Sequence, residues 1–485
     1  MYADDISNIF YTIFIILQLL FHIDRIIHIF MRLCLPVSTH PKLMDVLPSS
    51  ASELDYPLVA IQLPMFNEIE CCESVIECAC NMNWPKTRLI IQVLDDSTDP
   101  QTRAIADNCV QKWIDRNIQI KVYRRPTRKG FKAGNLLAGM PFIENVEYIA
   151  IFDADFLPTN DFLLKTVPAL IQNPNVAFVQ TRWTFVNAKE TLLTRMQEIL
   201  LNFYHKCEQD GRYRASLYFP FNGTGGVWRT LAIKQSGNWH TDTIVEDMDL
   251  SLRAYLNGWH AVYMHDVECL GELPSTLYGY FSQQHRWTSG TIQLAKKLAF
   301  NIYQSKHISL FRKFLCLWYL IRSSTNVLTL ISLLVIIPLS ICQKEPNIKV
   351  VISNWILIML CLSQCMFTPS KIFLAPLNIL FSNGMALHKT FAIISGLFNT
   401  RHTREWTVTP KIGSRKKNIH SPTRYYYFYK KNFVMSAYLL FFTYWAFKKQ
   451  QYFMSIYMFS NSMMYLMLAF SYVGGHQSEQ LKKTR

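Results

Sequence analysis

Four short motifs contain residue types that can bind a metal, bind a phosphate and move a proton. They are LDDSTD at Leu94–Asp99, DAD at Asp153–Asp155, VED at Val245–Asp247 and QQHRW at Gln283–Trp287. Carboxylates that are far apart in the chain but gathered by a fold suit a site with a divalent ion and a general base. The motifs lie between apolar segments that are long enough to cross a membrane.

The two aspartates of the DAD motif, Asp153 and Asp155, follow the apolar run Tyr148–Phe152, which predicts a buried strand. Two carboxylates at a strand end can bind Mg2+ or Mn2+, which also bind phosphate oxygens. A metal-bound diphosphate is a good leaving group, because the ion neutralises the charge that develops as the bond breaks. For an isolated DxD pattern, a plain acidic turn is the alternative interpretation.

The LDDSTD motif suits contacts with a nucleoside. Asp95 and Asp96 can accept hydrogen bonds from a base or a ribose, while Ser97 or Asp99 can cap a helix that begins at Gln101. Both interpretations can hold at once, because they use different residues of the motif.

The basic segment RKGFKAGNL at Arg128–Leu136 suits a phosphate. Gly130 and Gly134 permit a close approach of the backbone, and Lys132 can meet a phosphate. Its spacing matches neither a P-loop nor GxGxxG, so the sequence does not support ATP or NAD binding.

The VED motif contains a possible general base, and the QQHRW motif contains side chains that can bind a sugar acceptor. Asp247 is either a charge that suits the start of a helix or a general base that takes a proton from a hydroxyl group. In QQHRW, Arg286 can pair with a phosphate and Trp287 can stack on a sugar ring. A structural tryptophan at a membrane interface is the alternative.

An α/β region from Tyr56 to Gln304 must position these motifs. Short apolar runs that end in polar turns predict buried parallel strands, and Gln101–Arg116 is typical of a helix between them. This alternation predicts a doubly wound sheet whose ligands bind at the carboxyl ends of the strands. The predicted strands are Leu58–Leu63, Leu89–Leu94, Ile118–Tyr123 and Tyr148–Phe152.

Membrane segments are predicted on both sides of this region. Residues 1–32 form an N-terminal transmembrane anchor around Ile6–Ile23, and the acidic start argues against a cleaved signal peptide. Basic residues follow the anchor, which places the next domain in the cytosol. Because a crossing at 373–398 would put the basic segment 401–431 outside, we predict an interfacial amphipathic helix there. The first predicted transmembrane helix is the anchor. Two more lie within 314–367, namely Phe314–Ile341 and Val350–Phe367. The last two form a hairpin within 433–473, namely Phe433–Phe447 and Tyr452–Val473.

The composition agrees with a membrane protein and argues against nucleic acid as a partner. The chain has 485 residues, of which 50% are hydrophobic and 17% are charged. The net charge is +15, but much of it lies beside apolar segments, where Lys and Arg mark the cytosolic side and contact anionic lipid.

These motifs, in this order, resemble the D, DxD, D, QxxRW set of processive family 2 glycosyltransferases, which include cellulose, chitin and hyaluronan synthases. Longer strings, such as QLPMFNE, KAGNL, RWTFVN, FNGTGGVWR and ELPST, resemble the plant cellulose synthase-like A and C branches. WTVTPK at Trp406–Lys411 resembles the FxVTxK gating loop of cellulose synthases, which is cytosolic there. The family's first-motif tyrosine is replaced by Phe66, and the chain lacks the large insertions of plant cellulose synthases.

The resemblance implies a role for each matching residue. The nucleoside would contact Asn67, Glu68 and Asp96, and the diphosphate would contact Lys132. The metal would bind Asp153 and Asp155, with Asp153 also contacting the donor, and Asp247 would be the catalytic base. The acceptor chain would contact Thr224, Gln283, Arg286 and Trp287, and the gating loop would close over the nucleotide through Thr409 and Lys411.

The resemblance also implies a fold and an activity. The expected fold is an α/β GT-A (Rossmann-like) cytosolic catalytic domain joined to an α-helical transmembrane bundle with an interfacial helix. The expected activity is an inverting, Mg2+- or Mn2+-dependent transfer that extends a β-1,4-linked mannan or glucomannan from GDP-mannose, with GDP-glucose as a second donor. The alternatives are a β-1,4-glucan made from UDP-glucose, single-sugar transfer to a lipid, and a non-catalytic scaffold.

The resemblance further implies the protein's partners and location. The growing polysaccharide and the lipid bilayer would be partners, and a homo-oligomer is left open. The expected location is the Golgi membrane with the catalytic domain facing the cytosol, and the plasma membrane is the alternative.

Overall fold

A mixed β-sheet lies at the centre of the structure, which is a computed structural model that describes residues 2–37, 39–48, 50–343, 347–398 and 428–474. Its central strands are largely apolar, as in VAIQLPM of β1, where every side chain is buried. From β1 to β8 the strands are Val59–Met65, Leu89–Asp95, Ile120–Tyr123, Tyr148–Ile151, Leu157–Pro158, Val176–Phe185, Gly226–Arg229 and His260–Gly271.

The strand order across the sheet is β3-β2-β1-β4-β7-β6-β8-β5. Strands β3, β2, β1 and β4 are parallel to one another, which confirms the predicted parallel strands. The sheet is mixed because β7 runs antiparallel to both β4 and β6 and the short β5 runs antiparallel to β8, whereas β6 and β8 are parallel to each other. The short strand β7 follows a glycine-rich stretch that is typical of a loop, so the sequence gives no apolar run there.

Helices cover both faces of this sheet and surround it at its edges. In chain order from α1 to α11 they are Tyr2–Cys34, Leu43–Val46, Cys72–Cys80, Pro100–Ile114, Phe131–Gly139, Phe162–Gln172, Leu192–Phe203, Asp210–Arg214, Thr230–Gln235, Glu246–Leu256 and Leu277–Gln304. A π-helical segment at Tyr204–Gln209 joins α7 to α8. One core, with Ile61 and Phe162, lies under α3, α4 and α6, and a second, with Trp228 and Leu250, lies under α5, α9 and α10.

The rest of the described chain is helical and largely apolar. The helices α12 to α18 are Leu310–Ile321, Thr325–Ile331, Ile337–Cys342, Ile348–Leu362, Ala375–Phe398, Lys430–Lys448 and Tyr452–Ala469. Within the described residues, three stretches are long and apolar enough to cross a membrane, namely Asn8–Cys34, Leu310–Cys342 and Ile348–Phe367. They overlap the predicted anchor and the two spans predicted within 314–367.

The remaining membrane predictions stay predictions. The predicted hairpin corresponds to α17 and α18, and the predicted interfacial segment corresponds to α16. Most of the basic segment, including the gating-loop residues Thr409 and Lys411, lies outside the described residues.

Candidate active site

A cleft of about 1190 Å3, open to solvent, lies at the carboxyl ends of β1, β2 and β4. Its position agrees with the general rule that open α/β sheets bind ligands at the carboxyl ends of their parallel strands. The structure therefore gathers the separate sequence motifs around one space. The predicted residues that line it are Glu68, Asp96, Lys132, Asp153, Asp155, Asp247, Gln283, Arg286 and Trp287.

Lys132, on α5, connects the DAD motif to the VED motif. Its ammonium group lies 2.5 Å from Oδ1 of Asp153 and 4.0 Å from Oε1 of Glu246, and it donates to the carbonyl oxygen of Gly223 at 2.9 Å. Burial alone would lower the pKa of Lys132, but the carboxylates of Asp153 and Glu246 outweigh it and raise that pKa. Lys132 is therefore a fixed positive charge between the two acidic motifs.

Asp247 lies in the first turn of α10, which begins at Glu246. Its Oδ1 accepts a hydrogen bond of 2.7 Å from the Met248 amide, as expected where the first N–H groups of a helix lack partners within it. Burial raises the pKa of Asp247 to about 7; the Glu246 carboxylate adds to this effect and Lys132 opposes it. A carboxylate with a pKa near neutral can act as a general base.

Asp96 has a defined orientation in the cleft. The guanidinium of Arg125 binds both of its oxygens, with Nε 2.7 Å from Oδ1 and Nη2 2.6 Å from Oδ2. Such a bidentate pair fixes the plane of the carboxylate, which can still accept hydrogen bonds from a ligand. Its neighbour Asp95 is buried and bonded to Arg124, so it serves the fold rather than a ligand. Asp99 caps α4 by accepting from the Thr102 amide, which confirms the helix-cap interpretation of LDDSTD, while the nucleoside contact of Asp96 stays a prediction.

Asn67 differs from the expected nucleoside contact. It does not belong to the residues that line the cleft, and its backbone has a positive φ of 52°. Its Oδ1 accepts from the amides of Thr98 and Asp99 at 2.8 and 3.0 Å. The side chain thus joins the loop after β1 to the loop after β2, and contributes to the site by positioning Glu68 and Asp96.

Thr224 also differs from the expected acceptor contact. It is almost fully buried, and its Oγ1 accepts a hydrogen bond of 2.9 Å from the backbone N–H of Asp153. The threonine therefore lies behind the DAD motif and holds its backbone in place.

The glycines of the RKGFKAGNL segment serve local packing. A Cβ atom at Gly130 would lie 2.5 Å from Cγ2 of Thr241, and one at Gly134 would collide with the carbonyl oxygen of Lys129. The close approach that was predicted toward a ligand is therefore an approach to the protein's own chain.

The QQHRW residues lie on α11, whose N-terminus is capped by Thr276 through a bond from the Gly279 amide. Gln283, Arg286 and Trp287 all line the cleft, as expected because Arg286 and Trp287 lie three and four residues after Gln283 on the same helix. Burial lowers the pKa of Arg286, while Glu246 and Asp153 oppose that effect.

The sequence interpretation missed several residues that line the cleft. The Arg128 guanidinium carbon lies 3.4 Å from the ring centroid of Phe66, and both residues line the cleft beside Glu68. Trp183 and Glu272 line it farther along. Trp183 and Glu272 belong to strings that resemble the family, RWTFVN and ELPST, but neither string has a composition that indicates a particular chemistry.

The acidic pair fits a metal that binds together with a diphosphate. Among the described residues, no three His, Cys, Asp or Glu side chains converge as a ready metal site. Asp153 and Asp155 supply two carboxylates in the cleft, next to the cationic Lys132. Mg2+ and similar ions are commonly held by one or two carboxylates, with the remaining ligands from substrate phosphates and water. The donor set therefore fits such an ion.

This fold and this cleft define a class. A mixed sheet with a nucleotide-sized cleft at the carboxyl ends of its parallel strands, an acidic pair after β4 and a second acid at the start of a helix is the arrangement of GT-A glycosyltransferases.

Comparisons with known proteins agree with this class. Residues 61–227 match the family described as Glycosyl transferase family 2, and residues 148–368 match Glycosyl transferase family group 2. The mannosyltransferase PcManGT from Pyrobaculum calidifontis, solved in complex with GDP-Man and Mn2+, has the same fold. Its TM-score is 0.56 at 16% identity, with 81% of this chain and 100% of that chain covered.

Curated plant relatives are much more similar in sequence. Probable glucomannan 4-beta-mannosyltransferase 2 of Oryza sativa subsp. japonica is 42% identical over 75% of this chain and 64% of its own length. Probable glucomannan 4-beta-mannosyltransferase 15 of Arabidopsis thaliana is 38% identical over 87% of this chain and 80% of its own length. The match therefore spans less than two thirds of the rice protein. The chain belongs to glycosyltransferase family 2, which confirms the family and the GT-A fold that the motifs predicted.

Proposed function

We propose that the protein is an inverting, metal-dependent, processive glycosyltransferase that extends a β-1,4-linked mannan or glucomannan from GDP-mannose. The observation that carries this proposal is the position of Lys132, which connects the acidic pair to the helix that bears Asp247 within one cleft. Relatives named glucomannan 4-beta-mannosyltransferase support the choice of sugar and linkage.

The proposed reaction is a single displacement. Asp247 takes the proton from a hydroxyl group at the end of the acceptor chain, and that oxygen bonds to the anomeric carbon of the donor sugar. The bond between that carbon and the diphosphate breaks, the configuration inverts, and the nucleoside diphosphate leaves. A divalent ion held by Asp153 and Asp155 would neutralise charge on the leaving diphosphate. Lys132, whose ammonium group lies beside Asp153, would add a second positive charge near the leaving diphosphate.

The other cleft residues bind and orient the substrates. Glu68 and Asp96, at the ends of β1 and β2, would contact the nucleoside, with Asp96 fixed by Arg125. Gln283, Arg286 and Trp287 would hold the end of the acceptor chain, and Trp287 would stack on a sugar ring. Thr409 and Lys411 are proposed to close over the nucleotide.

The membrane helices are proposed to form the exit path of the polysaccharide. The three candidate spanning stretches give the protein enough apolar helix for a multi-pass arrangement. We propose a Golgi membrane location with the cleft facing the cytosol, where nucleotide sugars would enter it.

Membranes that contain the protein should be offered radiolabelled GDP-mannose, GDP-glucose and UDP-glucose in parallel, with Mn2+. We expect GDP-mannose to give a long product that a β-1,4-mannanase digests. A glucan from UDP-glucose, or the addition of single sugars to lipid, would overturn the proposed donor or the proposed processivity.

The Asp247→Asn variant tests catalysis at the same site. It keeps the size of the side chain but cannot accept the proton, so kcat should fall by a factor of about 10^2 to 10^4. The matched control is Asp107→Asn, because Asp107 is half-exposed, lies on α4 and pairs with Arg124 outside the cleft. Unchanged synthesis by Asp247→Asn would indicate a non-catalytic scaffold.

A further inference from the structure

The loop Asn222–Gly225, which precedes β7, touches each of the proposed catalytic groups. Thr224 accepts a hydrogen bond from the backbone of Asp153, and the carbonyl of Gly223 accepts one from Lys132. The Cα of Gly223 packs so closely on Asp247 that a Cβ there would lie 2.7 Å from Oδ2. A shift of this loop would therefore move Asp153, the lysine and the base together.

The backbone of this loop needs external support. Gly223 and Gly225 have φ angles of +83° and +65°, in the left-handed region. Glycines lose more conformational entropy on folding than other residues do. The loop therefore holds one conformation only where neighbouring groups restrain it. Part of the restraint comes from the sheet, because the Gly225 amide donates to Ile151 and its carbonyl accepts from the Thr181 amide.

The Thr181 hydroxyl also donates to the Gly225 carbonyl at 2.8 Å, and the Trp183 indole donates to that of Thr224 at 3.4 Å. Further bonds come from the side chain of Gln180 on β6, which is fully inaccessible to solvent. Its Oε1 accepts from the amide of Asn222 at 2.8 Å. Its Nε2 donates to the carbonyls of Thr224 and Gly225 at 3.1 and 3.0 Å, and to that of Thr181 at 3.1 Å. A single amide group thus bonds both ends of the loop.

The side chain of Asn222 provides a second attachment, toward the π-helical segment. Asn222 and Gln209 exchange two amide hydrogen bonds, of 2.9 and 3.0 Å. Tyr204 also donates to Oδ1 of Asn222, at 3.0 Å. These bonds hold the Asn222 side chain, whereas Gln180 bonds to the backbone at both ends of the loop.

We propose that Gln180 is a positioning residue for the transfer reaction: it fixes the Asn222–Gly225 loop, and through that loop the relative positions of Asp153, Lys132 and Asp247. The inference rests on the proposed function. Gln180 itself does not line the cleft, so it acts through the loop and not on substrate.

A merely structural role for a buried glutamine is the alternative, and the sheet offers a matched control. Gln92 on β2 is equally buried, and its amide bonds to Gln62 and to the carbonyl of Gly139. Neither of these bonds reaches a proposed catalytic group. Gln92→Met and Gln180→Met therefore remove comparable buried amides from the same sheet.

The test compares kcat for these two variants at saturating donor and Mn2+. We expect Gln180→Met to lower kcat about 10- to 100-fold, since small misplacements of catalytic groups have effects of that size. Gln92→Met should keep nearly wild-type kcat per folded molecule. Gln180→Glu, which keeps the acceptor toward Asn222, is the second variant should Gln180→Met not fold. Equal kcat in the Gln180 and Gln92 variants would overturn the proposal.

A binding measurement separates this proposal from the proposed function. GDP and UDP are titrated by calorimetry with and without Mn2+. We expect Gln180→Met to raise the Mn2+ concentration needed for tight binding about tenfold, because the Thr224 support of Asp153 is lost, and to leave metal-free binding unchanged. A Mn2+ dependence like that of Gln92→Met would overturn the positioning role. A wild-type protein that transfers no sugar would instead overturn the proposed function.

Discussion

The pKa of Asp247 results from neighbours that act in opposite directions. Burial and the adjacent Glu246 carboxylate raise it to about 7, while the ammonium group of Lys132 lowers it. This balance suits a base that must accept a proton near neutral pH and release it again after each transfer. It also makes the pKa of Asp247 sensitive to the charge of Lys132.

The acid limb of the pH profile should report this carboxylate. Asp247 must be deprotonated to act, so kcat/KM should fall as the pH drops through about 7. Lys132→Met removes the charge that lowers the pKa, so it should move the limb to higher pH in addition to weakening donor binding. The measurement is kcat/KM against pH for wild type and variant. A wild-type limb at the ordinary aspartate value of about 4 would contradict the assignment.

Gly223 should tolerate no side chain, because a Cβ atom would collide with Asp247. This effect can be measured separately from the strain of the left-handed backbone. Its φ is +83°, and a Cβ would collide with Oδ2 of Asp247. Gly237 is a matched control, because its φ is +85° but its nearest atom to such a Cβ is at 3.3 Å, on Arg253. Both alanine variants should lose about 1–2 kcal/mol of stability. Only Gly223→Ala should lose kcat, by about 10^2; equal kcat values would refute the contact.

The helices α10 and α11, which carry the base and the acceptor motif, are joined by a buried cluster of charges. Asp249 on α10 is fully buried and lies 2.7 Å from Arg253 and 2.9 Å from Lys297 on α11. Lys297 also reaches the exposed carboxylate of Asp242 at 2.7 Å. The cluster fixes how Asp247 faces Arg286, and it lies outside the cleft.

Removing the buried carboxylate should be far more harmful than removing the exposed one. Asp249→Ala removes the buried carboxylate that lies between Arg253 and Lys297. Because both cations lose this partner, the variant should lower the free energy of unfolding by about 3–5 kcal/mol. Asp242→Ala removes a surface partner of the same lysine and should cost less than about 1 kcal/mol. Chemical unfolding of both variants in detergent checks this, and similar losses would contradict the ranking.

Part of this arrangement could be predicted from the sequence, because some elements carry a local signal. The four parallel strands are continuous apolar runs, and the QQHRW residues have helical spacing. Strand β7 has no such signal, because only four residues pair and they follow two glycines. The antiparallel strand β7, and with it the pairing of β4 with β6 through β7, therefore had to come from the structure.

Some residues of the candidate site could likewise be predicted from the sequence, and others could not. The acids could be predicted because their residue type limits what they can do. Asn67 and Thr224 were predicted as ligand contacts, but both bond to backbone amides, a choice that depends on which distant segment approaches them. Gln180 could not be found at all, since its four partners lie in contacts that only the fold creates.

Ion pairs attach the membrane helices to the domain that carries the cleft. Arg32 at the end of α1 lies 2.7 Å from Asp210, and Asp24 of α1 lies 3.5 Å from Arg322, which reaches Glu208 at 2.5 Å. Asp210 and Glu208 belong to the segment that follows α7. The anchor, the stretch Leu310–Cys342 and the α/β domain thus meet at one buried cluster, so the orientation of the anchor fixes that of the cleft.

The helix α16 packs against the cleft-bearing domain along its length. The imidazole of His388 stacks on Phe281 of α11 at 4.4 Å, and a Cβ at Gly396 would lie 2.6 Å from the Ser289 carbonyl oxygen. On other sides α16 packs against α13 and α18, where a Cβ at Gly384 would lie 2.6 Å from Cδ1 of Leu468, and some large apolar side chains, such as Phe391 and Phe398, are exposed. The interfacial position of α16 is a proposal that rests on the charge of the segment that follows it.

The proposed topology can be tested with a tag. If α16 lies in the interface, as we propose, the basic segment is expected on the same side of the membrane as the cleft, in line with the positive-inside rule for its Lys and Arg residues. An acceptor site for N-glycosylation inserted at Ser414 should therefore stay unmodified, like one inserted in the turn at Asn117 of the α/β domain. The same site placed before Asn8 should be glycosylated, because the anchor puts the N-terminus outside. Glycosylation at Ser414 together with none at Asn117 would mean that α16 crosses the bilayer, and the count of spans and the cytosolic gating loop would both be wrong.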